Sequence, residues 1–340
     1  MTKTLRPGQR GAALLMAMLV VVLVATFAAA SLWQQWRTVE VETAERARIQ
    51  SGWILTGALD WARLLLREDA LGLRNSQAQT IDHLGEPWAV PLQEARLSSF
   101  LAADNNNTST DIGPEVMDAF LSGQIVDLQS MMNVNDMIGP TGQPNQEQIE
   151  AFQRLFDILN LPQSELAKLV ENLRFSNMPL LVSPPPAQSP LKPTQLSQLV
   201  WLGVSPQTIA VLAPYVTVLP ANDTKVNVNT ASAEAIAAYG NLDLSEAQRL
   251  VQVRSGSYFR DIQDIQNHLS GGAPQMPQGQ PGELGVGSNF FEVQARLRLG
   301  KIVVEERSVV QRAGDKITVI TRERGPGDPA TLARAAMSQR

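Results

Sequence analysis

The side chains in this sequence that could do chemistry are nearly all oxygen donors, gathered in three polar clusters. They are Asp104 to Asn107 with Asp111, then Asp127 with Asn133 and Asp136, then Asn222 with Asp223. A hard cation such as calcium takes about six to eight oxygens, which makes Asp111, Asp127 and Asp223 the candidate ligands. None of the clusters has the spacing of an EF-hand loop, and ordinary solvated turns use the same residue types. Of the two histidines, His83 follows Asp82 in a loop and reads as a solvated surface group. His268 sits near a predicted helix end, where an imidazolium favours the dipole. The chain has no cysteine, hence no thiolate nucleophile and no disulfide. It also lacks a Gly-x-Ser-x-Gly elbow, a Walker loop and a His-Glu-x-x-His helix. Gly282 to Gly287 mimics a phosphate loop without the strand before it or the helix after it, so it reads as a connector. These residues predict a protein that is not an enzyme and requires no cofactor.

Charge narrows the partners. Lys and Arg number 28 against 33 Asp and Glu, and Lys3, Arg6 and Arg10 precede any acid, leaving 25 against 33 beyond them. That excess of acid opposes broad binding to a phosphate backbone.

From Ala12 to Ala30 every residue but Thr26 is Ala, Leu, Met, Val or Phe, and Leu32 and Trp33 continue the run past Ser31. About 20 apolar residues span a bilayer as a helix, and positive charge on the N-terminal side places that end in the cytoplasm. A secretory signal peptide ending near Ala28-Ala29-Ala30 is the competing reading. The run exceeds an ordinary signal core, and the helical pattern continues through Trp36, Val39, Thr43, Ala47, Ile54, Trp61 and Leu65 with no proline before Leu73.

Gln9-Arg10-Gly11-Ala12 sets a glycine between the basic leader and the apolar run. This resembles a prepilin peptidase site, which implies cleavage between Gly11 and Ala12 and N-methylation of Ala12. Most proteins so processed carry glutamate at the fifth mature position, here Met16. A carboxylate in hydrocarbon persists only with a partner, and in this class the partner is the N-terminal amine of a neighbouring subunit. A subunit with no neighbour ahead of it has no use for that glutamate. The pattern resembles the K-type minor pseudopilins of type II secretion systems. Leu84-Gly85-Glu86-Pro87-Trp88-Ala89 and the run from Ile125 to Asn135 are similar to landmarks of that family, although Ser130-Met131-Met132 departs from its glycine and large aromatic.

Further along, strands are predicted over Gln93–Phe100 and Ala119–Gln129. Asn133-Val134-Asn135 returns as Asn227-Val228-Asn229, each ahead of helical sequence, which suggests two related helical subunits. Helices are predicted over 147–159, 164–173 and 207–212, the last capped by Ser205 before Pro206. Residues 183–193 form a proline-rich linker, and Tyr215 to Leu219 reads as a strand. Lys225 to Ile236 resembles the entry of a helix-hairpin-helix unit, with Thr230 or Ser232 as cap. Its turn, Tyr239 to Asp243, has one glycine and an acid, and residues 225–268 hold four bases against five acids, so it reads as a packing unit rather than a DNA site. Alternation from Phe291 to Leu299, then Lys301–Arg312 and Lys316–Arg322 around Ala313-Gly314-Asp315, predicts an antiparallel meander.

The expected fold is α+β: a pilin-like long N-terminal helix packed on an antiparallel sheet, with a large all-α insertion containing helix-hairpin-helix (SAM-like) units. The divisions are a leader at 1–11, a membrane segment at 12–33, a pilin-like part at 34–130, an insertion at 131–287 with subunits near 131–220 and 221–270, strands at 288–325 and a flexible tail at 326–340. The resemblance implies a non-enzymatic subunit at the pseudopilus tip, with I-type and J-type minor pseudopilins, other pseudopilins, the inner-membrane assembly platform and prepilin peptidase as partners. It also implies calcium binding in the periplasmic region, and no nucleic acid is expected. A type IV minor pilin or a membrane-anchored helix-hairpin-helix DNA-uptake protein is the alternative.

Overall fold

The computed structural model describes residues 10–72, 80–98, 119–177, 190–269, 284–300 and 302–325. One helix, α1, runs over Arg10–Leu71. Two compact units divide within it, residues 1–54 and 55–340. The first is helix alone among the described residues, and its side chains from Ala12 to Trp33 are exposed all round. The one polar side chain from Ala12 to Ala30, Thr26, closes its hydroxyl on the Leu23 carbonyl at 2.9 Å, so the span carries no free donor there.

In the second unit α1 becomes amphipathic. Leu55, Leu59, Ala62, Leu66 and Ala70 are buried at spacings of three and four, the spacing of one helix face. Leu59, Ala62 and Leu66 pack on Phe291, Val293, Val310 and Ile317 of a five-stranded sheet, with Trp88 closing the core edge-on to Phe291. The sheet comprises β1 (Leu92–Arg96), β2 (Ala119–Asp127), β5 (Phe290–Leu299), β6 (Ile302–Ala313) and β7 (Lys316–Arg324) in the order β1-β2-β5-β6-β7, antiparallel throughout. The turn between β6 and β7 places Gly314 at φ +64°, a conformation glycine takes at no steric cost. This is the α+β arrangement read from the sequence. The first predicted strand ends sooner, at Arg96, and Ala119–Gln129 gives way at Leu128 to a 3-10 turn capped by Asp127.

Between β2 and β5 lies the helical part. It holds β3 (Met132–Asn133), α2 (Gln146–Ile158), α3 (Gln163–Asn177), α4 (Pro206–Leu212), β4 (Val216–Thr217), α5 (Ala233–Gly240), α6 (Leu244–Gly256) and α7 (Ile262–His268). One apolar cluster joins them, from Met132 through Phe152, Phe156, Leu199 and Ile236 to Phe259 and Val286. Ser205 caps α4 by accepting the Thr208 N–H, and Ser232 caps α5 through Ala235 N–H. Thr230, the other cap candidate, sends its hydroxyl to Asp127 instead. The predicted strand at Tyr215–Leu219 is reduced to Val216–Thr217, paired in parallel with Met132–Asn133.

Candidate functional site

The Asn-Val-Asn echo has a structural basis. In both copies the first asparagine folds its side-chain oxygen onto the N–H two residues on: Asn133 onto Asn135, and Asn227 onto Asn229 at 3.0 Å. Each copy also pairs in parallel with a returning segment. Met132–Asn133 meets Val216–Thr217, and Asn227 meets Gly285, with Val228 N–H donating to Gly285 O at 2.9 Å. In each, the second asparagine is spent on buried backbone: Asn135 Nδ2 donates to Leu219 O of the return, and Asn229 bonds both the N–H and the carbonyl of Phe259, before α7.

The two copies differ in what surrounds the first asparagine. Asn133 is answered by Asp136 Oδ1 and by the chain that returns beside its own strand, through Ala221 O and Leu219 N–H. Asn227 reaches out of its segment to Asp82 O, Asp127 Oδ2 and Ser288 Oγ. It thereby enters a buried joint where the helical part meets the sheet. Asp127 accepts there from Ser288 Oγ, Thr230 Oγ1 and Gln129 N–H as well. Arg312 of β6, 2% exposed in its side chain, lies between Asp69 of α1 and Asp82 and donates to both. Asp82 also accepts the Ser288 N–H at 2.7 Å. Gly287 is required beside it, since a Cβ there would stand 2.1 Å from Thr80 O.

Glu86 completes the cluster without meeting a guanidinium. Its Oε2 accepts from Trp88 Nε1 and His83 N–H, and His83 Nε2 stays 3.8 Å from Oε1. Asp69, Asp82 and Glu86 each offer an oxygen within 4.8 Å of the others. Burial pushes Glu86 up to about 8, helped by the negative charges of Asp69 and Asp82. Burial likewise raises Asp82 to about 7 against the pull of Arg312, and raises Asp127 against its hydroxyl and amide donors. His83 is no surface histidine: its ring stacks on Tyr258 with centroids 4.0 Å apart, because the helical part covers the loop that carries it. Desolvation lowers its pKa, so the ring is neutral near neutral pH.

Among the described residues the carboxylates grouped closely enough to share an ion are Asp69, Asp82 and Glu86, which include neither Asp127 nor Asp223. Asp111 lies outside the described residues. Asp127 faces the hydrogens of Ser288, Thr230, Gln129 and Asn227, and donors do not fit a cation. Arg312 already supplies the positive charge between Asp69 and Asp82, so that trio does not fit calcium either. Asp223, at φ +64°, sits next to a second buried carboxylate, Asp136, which accepts from Thr224 and Asn133 and is raised by burial to about 7. Of the processing positions, Gly11 and Ala12 fall in the first turns of α1, and Met16 is 68% exposed on the apolar span. Arg254, placed by the sequence among the later helices of a helix-hairpin-helix, turns inward to the carbonyls of Val228 and Ala231, and burial lowers it to about 10.

The Asp69–Arg312–Asp82 link escapes a reading by motif, yet one signal exists. Arg312 shares strand parity with Val310, Ser308 and Glu306, so it belongs to the buried face and needs a buried partner.

Comparison with known proteins adds family evidence to this geometry. Two family models, both described as type II secretion system protein K, match residues 130–221 and 226–287, each stretch beginning shortly before an Asn-Val-Asn. The type II secretion system protein K of Pseudomonas aeruginosa is 26% identical, covering 95% of this chain and 95% of its own. That of Klebsiella pneumoniae is 27% identical over 93% of this chain and 97% of its own. A chain of the GspK-GspI-GspJ complex from the type 2 secretion system of enterotoxigenic Escherichia coli has the same fold, with a TM-score of 0.58 at 19% identity over 84% of this chain and 99% of that one.

Proposed function

This chain belongs to the type II secretion system protein K family, and from that premise we propose that it is the non-enzymatic minor pseudopilin at the tip of the pseudopilus, initiating or capping its assembly. The observation that carries the tip position is Met16. No carboxylate interrupts the apolar run from Ala12 to Trp33, so the span has nothing to neutralise the amine of a subunit ahead of it. The bulk of the helical part supports the same place, because a filament shaft has no room for it and a free upper face does.

In this reading the chain is inserted once in the inner membrane with its N-terminus in the cytoplasm and the rest in the periplasm. Prepilin peptidase cuts between Gly11 and Ala12 and Ala12 is methylated. I-type and J-type minor pseudopilins are its tip partners, in keeping with the complex named for the Escherichia coli relative. The role requires no cofactor, and Asp111 and Asp223 are the candidate ligands for a calcium ion.

The mass and N-terminal sequence of the membrane-extracted protein, from cells with and without prepilin peptidase, test the class. A chain starting at methylated Ala12 only when the peptidase is present is expected; a start near Ser31 regardless of it overturns the reading. The absence of cysteine allows a clean test of position by single-cysteine cross-linking. Links to the I-type and J-type subunits are expected, and links to major pseudopilin on both sides would overturn the tip assignment.

A further inference from the structure

Six tryptophans occur in the chain, and two of them, Trp33 and Trp36, lie at the far end of the apolar span. Each is 63% exposed on α1. At 1.5 Å per residue, Trp33 stands about 32 Å and Trp36 about 36 Å along the axis from Ala12. A hydrocarbon layer is about 30 Å thick, with a few further ångströms of headgroup region on each side. With Ala12 at the inner edge, set there by Arg10, both indoles therefore fall in the outer headgroup zone. Three residues apart on a helix, they lie about 60° from each other around the axis and so face one side. Gln34 and Gln35 separate them, and Arg37 is the first charge after the span.

We propose that Trp33 and Trp36 form an interfacial anchor that binds the outer headgroup layer of the bilayer and fixes the depth of the span before assembly. Indole suits this zone because its ring is apolar and its N–H needs a polar partner. The need for such an anchor follows from the rest of the span. The run is apolar on every side, and Thr26 satisfies itself within the helix, so nothing else in the hydrocarbon resists sliding along the membrane normal. The inner end is held by Lys3, Arg6 and Arg10 only while the leader is attached. After cleavage at Gly11 the charged N-methyl amine of Ala12 marks the inner edge, and the tryptophan pair, with Arg37 beyond it, marks the outer one. The occupant of this surface is lipid rather than a neighbouring subunit, since the pair coincides with one bilayer thickness from the basic end.

This rests on the membrane-anchored reading above, and the test separates the two. The full chain is reconstituted in phosphatidylethanolamine–phosphatidylglycerol vesicles and recovered by flotation. Single cysteines are introduced at Ser31, Gln35, Thr38 and Glu42, and their reaction with an impermeant maleimide maps the water boundary. With both tryptophans present, Ser31→Cys is expected to be protected and Thr38→Cys to react. In the Trp33→Ala, Trp36→Ala background the boundary is expected to move by about one helical turn, and tyrosine at both positions is expected to restore it. A boundary unmoved in a double alanine variant that still floats overturns the anchor alone. Failure of the unaltered chain to float overturns the membrane reading and the anchor with it. Cross-linking of Trp33→Cys to another pseudopilin before assembly also overturns the anchor, by giving the surface to a subunit.

Discussion

The two Asn-Val-Asn segments share a local design but not a purpose. Asn133 is closed by Asp136 and the 219–221 return, so it seals its own segment. Asn227 is closed by Ser288, just past its own return, and also by Asp82 and Asp127, which precede the helical part, so it docks its segment on the sheet. An asparagine that folds its oxygen onto the chain has its amide left to give. What accepts that amide decides whether the motif is a seal or a joint.

The joint can be broken most severely at its one buried guanidinium. Arg312→Met is expected to cost about 3–5 kcal/mol, because it leaves Asp69 and Asp82 buried without their cation. Urea unfolding of the full chain in detergent measures it; a loss under about 1 kcal/mol would show that the link to Arg312 is dispensable.

Removing each first asparagine sharpens the contrast. Asn133→Ala and Asn227→Ala are each expected to cost about 2–3 kcal/mol, since both leave buried acceptors unmet. Their locations should differ. Hydrogen exchange is expected to rise at residues 219–224 in the first variant, and at 80–89 and 284–290 in the second. The same exchange pattern in both would erase the distinction between seal and joint.

The joint also predicts a pH dependence with a definite sign. Glu86 at about 8 and Asp82 at about 7 titrate above their ordinary values of 4.5 and 3.8. Between the two ranges the folded chain holds protons that the unfolded chain has released. Stability from these groups is therefore full below about pH 4 and is lost as pH rises towards 8, by at most about 1.4 kcal/mol per pH unit for each proton released. Asp136, raised to about 7, adds to the same trend from the seal. Glu86→Gln is expected to flatten the top of the curve, around and above about pH 8, where Asp82 and Asp136, both at about 7, are mostly ionised in the folded chain. Thermal melts across pH 5–9 in both proteins check this; parallel curves would remove Glu86 from the cause.

The smallest effect concerns the caps. Ser232→Ala is expected to cost about 1 kcal/mol through the lost bond to Ala235 N–H. Thr230→Val should instead weaken the joint, because that hydroxyl serves Asp127. Exchange at 284–290 unaffected by Thr230→Val would return Thr230 to a local role.

Much of the helical part was legible because its signals are local. The spacing of Ile149, Phe152, Leu155 and Phe156 marks the face of α2 that is buried, and Ser205-Pro206 opens α4 as a cap and first-turn proline do. The alternation of Phe291, Val293, Leu297 and Leu299 locates β5 for the same reason. The asparagine echo was visible as a repeat, while the roles of Asp82, Glu86 and His83 were not. His83 reads as solvated from its neighbours in sequence, and in the fold Tyr258, packed on it from the helical part, covers its ring.

By itself the sequence determined the apolar span, its charge asymmetry, the glycine before it, the missing glutamate at Met16 and the periods that distinguish helix from strand. Each depends on residues a few positions apart, where backbone geometry alone sets which side chains share a face. Tertiary structure decided the joint. Arg312 meets Asp69 across 243 positions and Asp82 across 230, and Asn227 meets Asp82 across 145. No local period encodes such a meeting; it follows from packing α1 and the helical part on one sheet, which brings distant carboxylates into a space too dry to ionise them freely.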